Sequence, residues 1–278
     1  MTEIQVDMSF KRALIWSDLH IGREGALEAL ERLVRYQIDH AHQEGDVILC
    51  LGDITDNGAP SEYGEARALL MRASAPVLAL PGNHDAGRLG IDYDARARGY
   101  FDSVLNDALV AELLSYGGEV RGAPLDTPEA WPILVRPREG APIILLDSTQ
   151  GQDGELLPNL ARGELGAAQI LRLGKLLEQL ERPALVCLHH HPYWSDFAHA
   201  LEDERALSAT LRRYSRKILG VVFGHKHQRG ARVDRGGWLA LGCGRATEAK
   251  GERLEFEALE LGDLRLHERG ALSIINVE

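Results

Sequence analysis

Six short apolar runs, each ending in a turn crowded with Asp, Asn, His or Ser, limit what this chain can fold into. The run over 13–16 leads into Ser17-Asp18-Leu19-His20, the run over 47–51 into Gly52-Asp53, and the run over 76–80 into Pro81-Gly82-Asn83-His84-Asp85. The run over 143–146 leads into Asp147-Ser148, that over 184–188 into His189-His190-His191, and that over 219–223 into Gly224-His225-Lys226-His227. Short apolar runs bounded by Gly or Pro fit buried strands. Helical spacing fills the gaps: Leu27, Leu30, Leu33, Val34 and Ile38 over 26–43, a shorter stretch over 65–71, Leu165 to Leu180 spacing over 164–180, and a fourth helix over 202–214. Strands alternating with helices predict an α/β sheet with parallel pairing. The tail differs: 238–241, 254–261 and 264–267 read as hairpin strands, with Glu255, Glu257 and Glu260 on a solvent-facing or edge side. The least regular stretch is 86–140, a helix over 100–114 followed by a path rich in Gly and Pro, read as an elaboration of one domain spanning 1–278.

In open α/β sheets ligands bind beyond the carboxyl ends of the strands. Ends that belong to one sheet converge, so the polar groups at these turns can meet. Asp18 and His20 are two apart, as are His225 and His227; in extended chain such pairs point the same way and can share a metal. Asp53 follows Gly52, which permits a sharp exit from the strand, and its two oxygens can bridge two cations. Asn83 adds an amide oxygen and His190 an imidazole nitrogen. Together Asp18, His20, Asp53, Asn83, His190, His225 and His227 form a mixed nitrogen and oxygen set suited to Mn, Fe, Zn, Co or Ni rather than Ca. The set exceeds one tetrahedral site and fits two ions sharing Asp53. Two ions about 3.5–4 Å apart clamp the attacking and leaving oxygens of an in-line displacement, and a bridging water then becomes the nucleophile near neutral pH. His84, beside Asn83, is expected to protonate the leaving oxygen or stabilise the phosphoryl charge. Asp56 is expected to orient His84 or hold it protonated; the competing reading is a loop Asp capping a turn.

Several polar residues take blander readings. Lys226 lies between two ligands and points to solvent. Asp147 and Ser148 brace the walls of the site. Arg23 and Arg88 follow metal motifs and either bind phosphate oxygens or sit on the surface. His191 belongs to the rim or to the support of the ligands, whereas His40, His42, His199 and His267 have no partners in the pattern and are expected outside the site. The stretch 194–204, with Asp196, Glu202, Asp203 and Glu204, is a candidate acidic rim.

Net charge is −11 with His neutral, so a nucleic-acid-coating role is disfavoured; a small anion held by metals is not. Cys50, Cys187 and Cys243 are far apart, odd in number and set in apolar runs, which speaks against a disulfide framework. The opening residues lack the apolar core of a signal peptide, and no run is long enough to span a membrane. A cytoplasmic setting is expected. The expected partner is a small phosphoester, with neither membrane nor nucleic acid, and self-association as a homodimer is the one macromolecular contact entertained.

Asp18-Leu19-His20, Gly52-Asp53-Ile54-Thr55-Asp56, Gly82-Asn83-His84-Asp85, His190-His191-Pro192 and Gly224-His225-Lys226-His227, in this order, resemble the calcineurin-like metallophosphoesterase superfamily. The resemblance covers roughly 14–228. Within the superfamily the spacing through Leu146-Asp147-Ser148-Thr149, Gly154-Glu155-Leu156 and Gln169 is similar to class III cyclic nucleotide phosphodiesterases and bacterial glycerophosphodiesterases. The resemblance implies a four-layer αββα sandwich of two mixed sheets, with 238–278 completing the second sheet. It implies one metal on Asp18, His20, Asp53 and His227 and a second on Asp53, Asn83, His190 and His225, with His84 facing the substrate. Counting back from Pro192 selects His190, and a slip of one selects His189. Tyr193 departs from the family's proline. The implied activity is hydrolysis of a small phosphodiester by a metal-bridging hydroxide; the alternatives are a phosphomonoesterase, a nuclease or a non-catalytic scaffold of the same fold.

Overall fold

The structure, a computed structural model, describes residues 1–40, 45–88, 90–150, 161–193, 198–247, 254–261 and 272–277. Two mixed sheets face one another. The smaller contains β2 (Arg12–Trp16), β3 (Asp46–Leu51), β4 (Val77–Leu80), β14 (Leu254–Glu260) and β15 (Leu272–Val277), in the order β15-β14-β2-β3-β4. Within it β2, β3 and β4 run parallel. The larger contains β1 (Thr2–Phe10), β7 (Gly118–Gly122), β8 (Ile133–Gly140), β9 (Ile143–Leu145), β10 (Ala184–Leu188), β11 (Ile218–Phe223), β12 (Gly230–Val233) and β13 (Leu239–Gly242). Its order is β12-β13-β11-β10-β9-β8-β1-β7, with β9, β10, β11 and β13 parallel; apart from both sheets, β5 (Gly87–Arg88) pairs with β6 (Asp92–Tyr93).

The alternation of β10 shows why these runs form interior strands. Leu185 and Cys187 belong to the core between the sheets. Ala184, Val186 and Leu188 belong to a second core under α5 (Ala167–Gln179) and α6 (Glu204–Arg213). Both faces of the strand are covered, so it is apolar throughout rather than alternating. Each of Leu185, Val186 and Leu188 contributes about 1.5–3 kcal/mol by leaving water. On the other side α1 (Ala26–Asp39) and α2 (Pro60–Leu70) share the first core through Leu30, Leu33, Val34 and Leu70. Among the described residues no helix is long and apolar enough to cross a membrane.

Several expectations are corrected. The C-terminal strands divide: β13 joins the larger sheet, and β14 and β15 the smaller. β14 is not an edge strand, since it lies between β2 and β15. Glu257 on it is buried and paired with Arg229 at 2.9 Å, so its charge faces a partner rather than water. The stretch 86–140 supplies β7 and β8, strands of the larger sheet itself. The helix read over 100–114 is three pieces: α3 (Ala95–Tyr100), a wider π turn over Phe101–Asn106, and α4 (Asp107–Ser115). The wide turn buries Asp102 against Arg98 at 2.6 Å, and Arg98 also reaches Asp147 at 2.9 Å. His42, Gly154, Glu155, Leu156, Trp194, Asp196, the run 264–267 and His267 lie outside the described residues, as does the side chain of Arg88.

Candidate metal centre

The carboxyl ends of β2, β3 and β4 in one sheet and of β10 and β11 in the other open onto one polar cluster. Asp18, His20, Asp53, Asn83, His189, His190 and His225 are all buried there. Their nitrogen and oxygen atoms fall into two groups. In the first, His20 Nε2 lies 3.1 Å from His227 Nε2 and 3.8 Å from Asp53 Oδ2, and His227 Nε2 lies 3.4 Å from Asp18 Oδ1. In the second, Asn83 Oδ1 lies 3.1 Å from His189 Nε2 and 3.0 Å from His225 Nδ1. His189 Nε2 lies 3.3 Å from His225 Nδ1 and 3.4 Å from Asp53 Oδ1. The two oxygens of Asp53 thus face different groups.

This donor set fits a pair of ions. Adjacent ligands at right angles around one ion, with bonds of about 2.1 Å, are separated by about 3 Å. Six of the seven spacings above, from 3.0 to 3.4 Å, lie near that value, and the His20–Asp53 distance of 3.8 Å is longer. For three of these residues, His189, His20 and Asn83, the other polar side-chain atom already has a partner. His189 Nδ1 donates to the Leu51 carbonyl at 2.7 Å, and His20 Nδ1 faces Asp56 Oδ1 at 3.2 Å. Each bond leaves a lone pair on Nε2, directed into the cluster. Asn83 Nδ2 donates to the Gly90 carbonyl at 3.1 Å, which turns Oδ1 inward.

His189, rather than the His190 selected by counting from Pro192, is the residue whose ring meets both Asn83 and Asp53. β10 ends at Leu188, and the first residue beyond it is the one whose ring meets Asn83 and Asp53. His190 lies beside this group, with Nδ1 2.7 Å from Ser148 Oγ and its ring 4.6 Å from that of His225. The remaining predicted ligands, Asp18, His20, Asp53, Asn83, His225 and His227, are brought together.

The backbone differs from the extended chain assumed for Asp18-Leu19-His20 and His225-Lys226-His227. β2 ends at Trp16 and β11 at Phe223. Asp18, His20, Asp53, His225 and His227 all adopt positive φ, between 47° and 75°. Among the described non-glycine residues only Ala161 shares this conformation. The turns coil left-handed beyond the strands, and this coiling, rather than strand alternation, points paired side chains at one place. Gly82 allows the loops to approach: a Cβ there would come within 2.3 Å of Asp53 Oδ1 and 2.9 Å of His189 Cε1.

Two carboxylates tie the loops together. Asp56 pairs with Arg23 Nε at 2.5 Å and lies 3.4 Å from His84 Nδ1. Burial would push its carboxyl up, but the hydrogen bond from His20 and the charge of Arg23 hold it below its usual range. His84 Nδ1 sits closer, at 2.8 Å, to the Asp56 backbone carbonyl. Asp56 thus supports the candidate ligand His20 as well as His84, and Arg23 is engaged by Asp56 rather than standing free. Asp85 is the residue that sequence reasoning left without a role. It accepts from Ile54 N, Thr55 N, Thr55 Oγ1 and Gly82 N, each at 3.0 Å. Burial and then the Asp53 charge push its carboxyl up, while these backbone donors pull it back. An Asp three residues beyond Gly82 in a Gly-Asn-His-Asp turn was the available signal.

Charge at the cluster is strongly coupled. Burial opposes ionisation of Asp53, yet His189, His84 and His20 hold its carboxyl well below the usual range. Burial lowers His189, but Asp53 and Asp18 outweigh it and raise the imidazole to about 9. Burial lowers His20, His190 and His225. Of the histidines expected elsewhere, His40 stacks on Tyr36, whereas His199 lies 5.7 Å from the His225 ring and so beside the site. Of the candidate acidic rim, Glu202 is exposed and pairs with Arg162 at 3.0 Å, Asp203 accepts from Leu165 N and Gly166 N, and Glu204 accepts from Ser208 Oγ at 3.4 Å.

The family model described as calcineurin-like phosphoesterase matches residues 11–229. A 3',5'-cyclic-nucleotide phosphodiesterase of Nostoc sp. is 26% identical over 201 residues, covering 70% of this chain and 60% of that protein. A 3',5'-cyclic adenosine monophosphate phosphodiesterase of Vibrio vulnificus is 26% identical over 225 residues, covering 76% of this chain and 68% of that protein. Among solved structures, a dimetal phosphatase from Danio rerio superposes with a TM-score of 0.72 at 17% identity, covering 98% of this chain and 99% of the other. A 5'-nucleotidase from Candida albicans superposes with a TM-score of 0.55 at 13% identity, covering 99% and 52%. These two likenesses concern the fold.

Proposed function

Because this chain belongs to the calcineurin-like phosphoesterase family, we propose that it hydrolyses a small phosphodiester of the cyclic-nucleotide or glycerophosphodiester type, using two transition-metal ions. The observation that carries this reading is the division of Asp53: Oδ2 faces the group of Asp18, His20 and His227, and Oδ1 faces that of Asn83, His189 and His225. Mn, Fe, Zn, Co or Ni suits this donor set. When bound, the ions supply Lewis-acid charge and a nucleophile at neutral pH. The protein's own groups do the rest. Asp53 receives the His84 backbone N–H at 2.8 Å, which locks the His84 loop to the centre. With His84 Nδ1 committed to the Asp56 carbonyl, Nε2 is the nitrogen able to hand a proton to the leaving oxygen. Asp56 holds both His20 and His84 in orientation.

The diester preference is supported by the activities named for the Nostoc and Vibrio relatives. A cytoplasmic setting belongs to the same proposal, since Cys50, Cys187 and Cys243 are buried and unpaired, as thiols in a reducing compartment are. The test is steady-state turnover of bis(p-nitrophenyl) phosphate against p-nitrophenyl phosphate with Mn added. Faster diester turnover is expected. Equal or faster monoester turnover overturns the diester assignment in favour of a phosphomonoesterase, and no turnover of either, with no metal retained, overturns catalysis.

A further inference from the structure

His190 stands beside the ligand nitrogens with its own hydrogen-bonding pattern. Its Nδ1 lies 2.7 Å from Ser148 Oγ, and its backbone N–H donates to that same oxygen at 3.3 Å. Ser148 Oγ accepts that backbone bond and is placed to give its own proton to Nδ1. Nδ1 is then an acceptor, and the neutral ring carries its hydrogen on Nε2. That Nε2 is buried and has no partner among the described residues.

His225 is in the same condition. Its Nδ1 faces Asn83 Oδ1 and His189 Nε2, the ligand side, so its hydrogen also resides on Nε2. This Nε2 too is buried and without a partner. The His190 and His225 rings are 4.6 Å apart and tilted by 48°. One nitrogen of each of His189, His190 and His225 lies within 4.8 Å of the others. Two buried N–H donors without acceptors are costly. They offer no lone pair to a cation, and what completes them is an acceptor oxygen.

The position of the ring is enforced from behind. A Cβ at Gly163 would come within 2.3 Å of His190 Cγ and 2.4 Å of Nδ1. Gly163 is pinned by its N–H to the Ala200 carbonyl at 3.0 Å, and its own carbonyl accepts from Glu202 N at 2.8 Å. His190 cannot swing toward this backbone.

We infer that His190 is a substrate-binding residue rather than a metal ligand: its Nε2–H, together with that of His225, donates to a non-bridging phosphoryl oxygen of the bound ester. The inference rests on the phosphoesterase reading above. The test is calorimetric binding of inorganic phosphate to the Mn-loaded full chain, with metal content measured on the same samples. His190→Ala is expected to keep two metals and to lose about tenfold in phosphate affinity, as the loss of one bond to a charged acceptor implies. His190→Gln, whose amide N–H extends to about the same place, is expected to recover most of it. Ser148→Ala, which frees the tautomer, is expected to weaken binding with two metals retained. If His190→Ala fails to fold, the Gln and Ser148 variants decide the matter. Loss of a metal equivalent on replacing His190 overturns the inference in favour of a ligand role. Unchanged phosphate affinity overturns it in favour of a trapped water. A wild-type protein that binds two metals but no phosphate overturns the phosphoesterase reading and this inference together.

Discussion

Asn83 Oδ1 lies 3.1 Å from His189 Nε2 although 106 residues separate them. The contact joins the carboxyl end of β4 in one sheet to that of β10 in the other, and brings His189 to the candidate ligand Asn83.

Replacing His189 therefore tests the centre directly. His189→Ala should lower the metal content from two ions to one per chain. Activity should fall by more than roughly 100-fold, the upper range for losing a group that merely supports a ligand. Elemental analysis and turnover on one preparation check this, and a variant that keeps both ions removes His189 from the ligand set.

Asp56 touches His20, Arg23 and His84 without reaching the ligand position itself. Asp56→Asn should keep the fold while loosening both histidines. Turnover should fall about 10–100-fold, with weaker affinity for the ion on His20. Titration of metal into the stripped protein, followed by turnover, gives both quantities. Full activity would assign Asp56 to the loop alone.

Asp85 gathers five donors in a buried place, four from two loops and the Tyr63 hydroxyl at 3.3 Å. Asp85→Asn sets an amide N–H against some of them. It should destabilise the protein by about 2–4 kcal/mol, measured by denaturant unfolding. A change under 1 kcal/mol would mean that the loops hold themselves.

Asp102 gives a pH signature. Burial raises its carboxyl to about 6 from 3.8, with Arg98 opposing. A raised acid favours the folded state at low pH. Its contribution is fully present below about 4 and is lost as pH rises through about 6. The span is about 2–3 kcal/mol. Unfolding free energies of wild type and Asp102→Asn, measured at pH 4, 5, 6 and 7, should diverge by that amount across this window. Parallel curves would assign the carboxyl an ordinary titration.

Much of the centre was legible because its residues sit at strand ends, where topology forces convergence. What was not legible turns on local geometry. Three consecutive histidines offer three registers, and only the end of β10 at Leu188 and the Leu51 carbonyl select His189. Asp85 carries no apolar pattern, and its role appears only when its donors assemble around it. β1 had a readable signal, since Ile4, Val6, Met8 and Phe10 alternate with polar residues. β8 hid because Arg136, Pro137 and Arg138 interrupt its apolar run. Glu257 read as solvent-facing because a sequence cannot show that Arg229 waits opposite it.

The left-handed backbone at Asp18, His20, Asp53, His225 and His227 has a consequence for any descendant released from catalysis. An L-residue with a Cβ gives up about 1–2 kcal/mol in that conformation, and Gly gives up less. Once nothing chemical depends on those five positions, drift toward Gly there would relax the backbone. The signature of a retired copy of this protein would be relaxed hinges at the mouths of the strands while the apolar interior stays as it was.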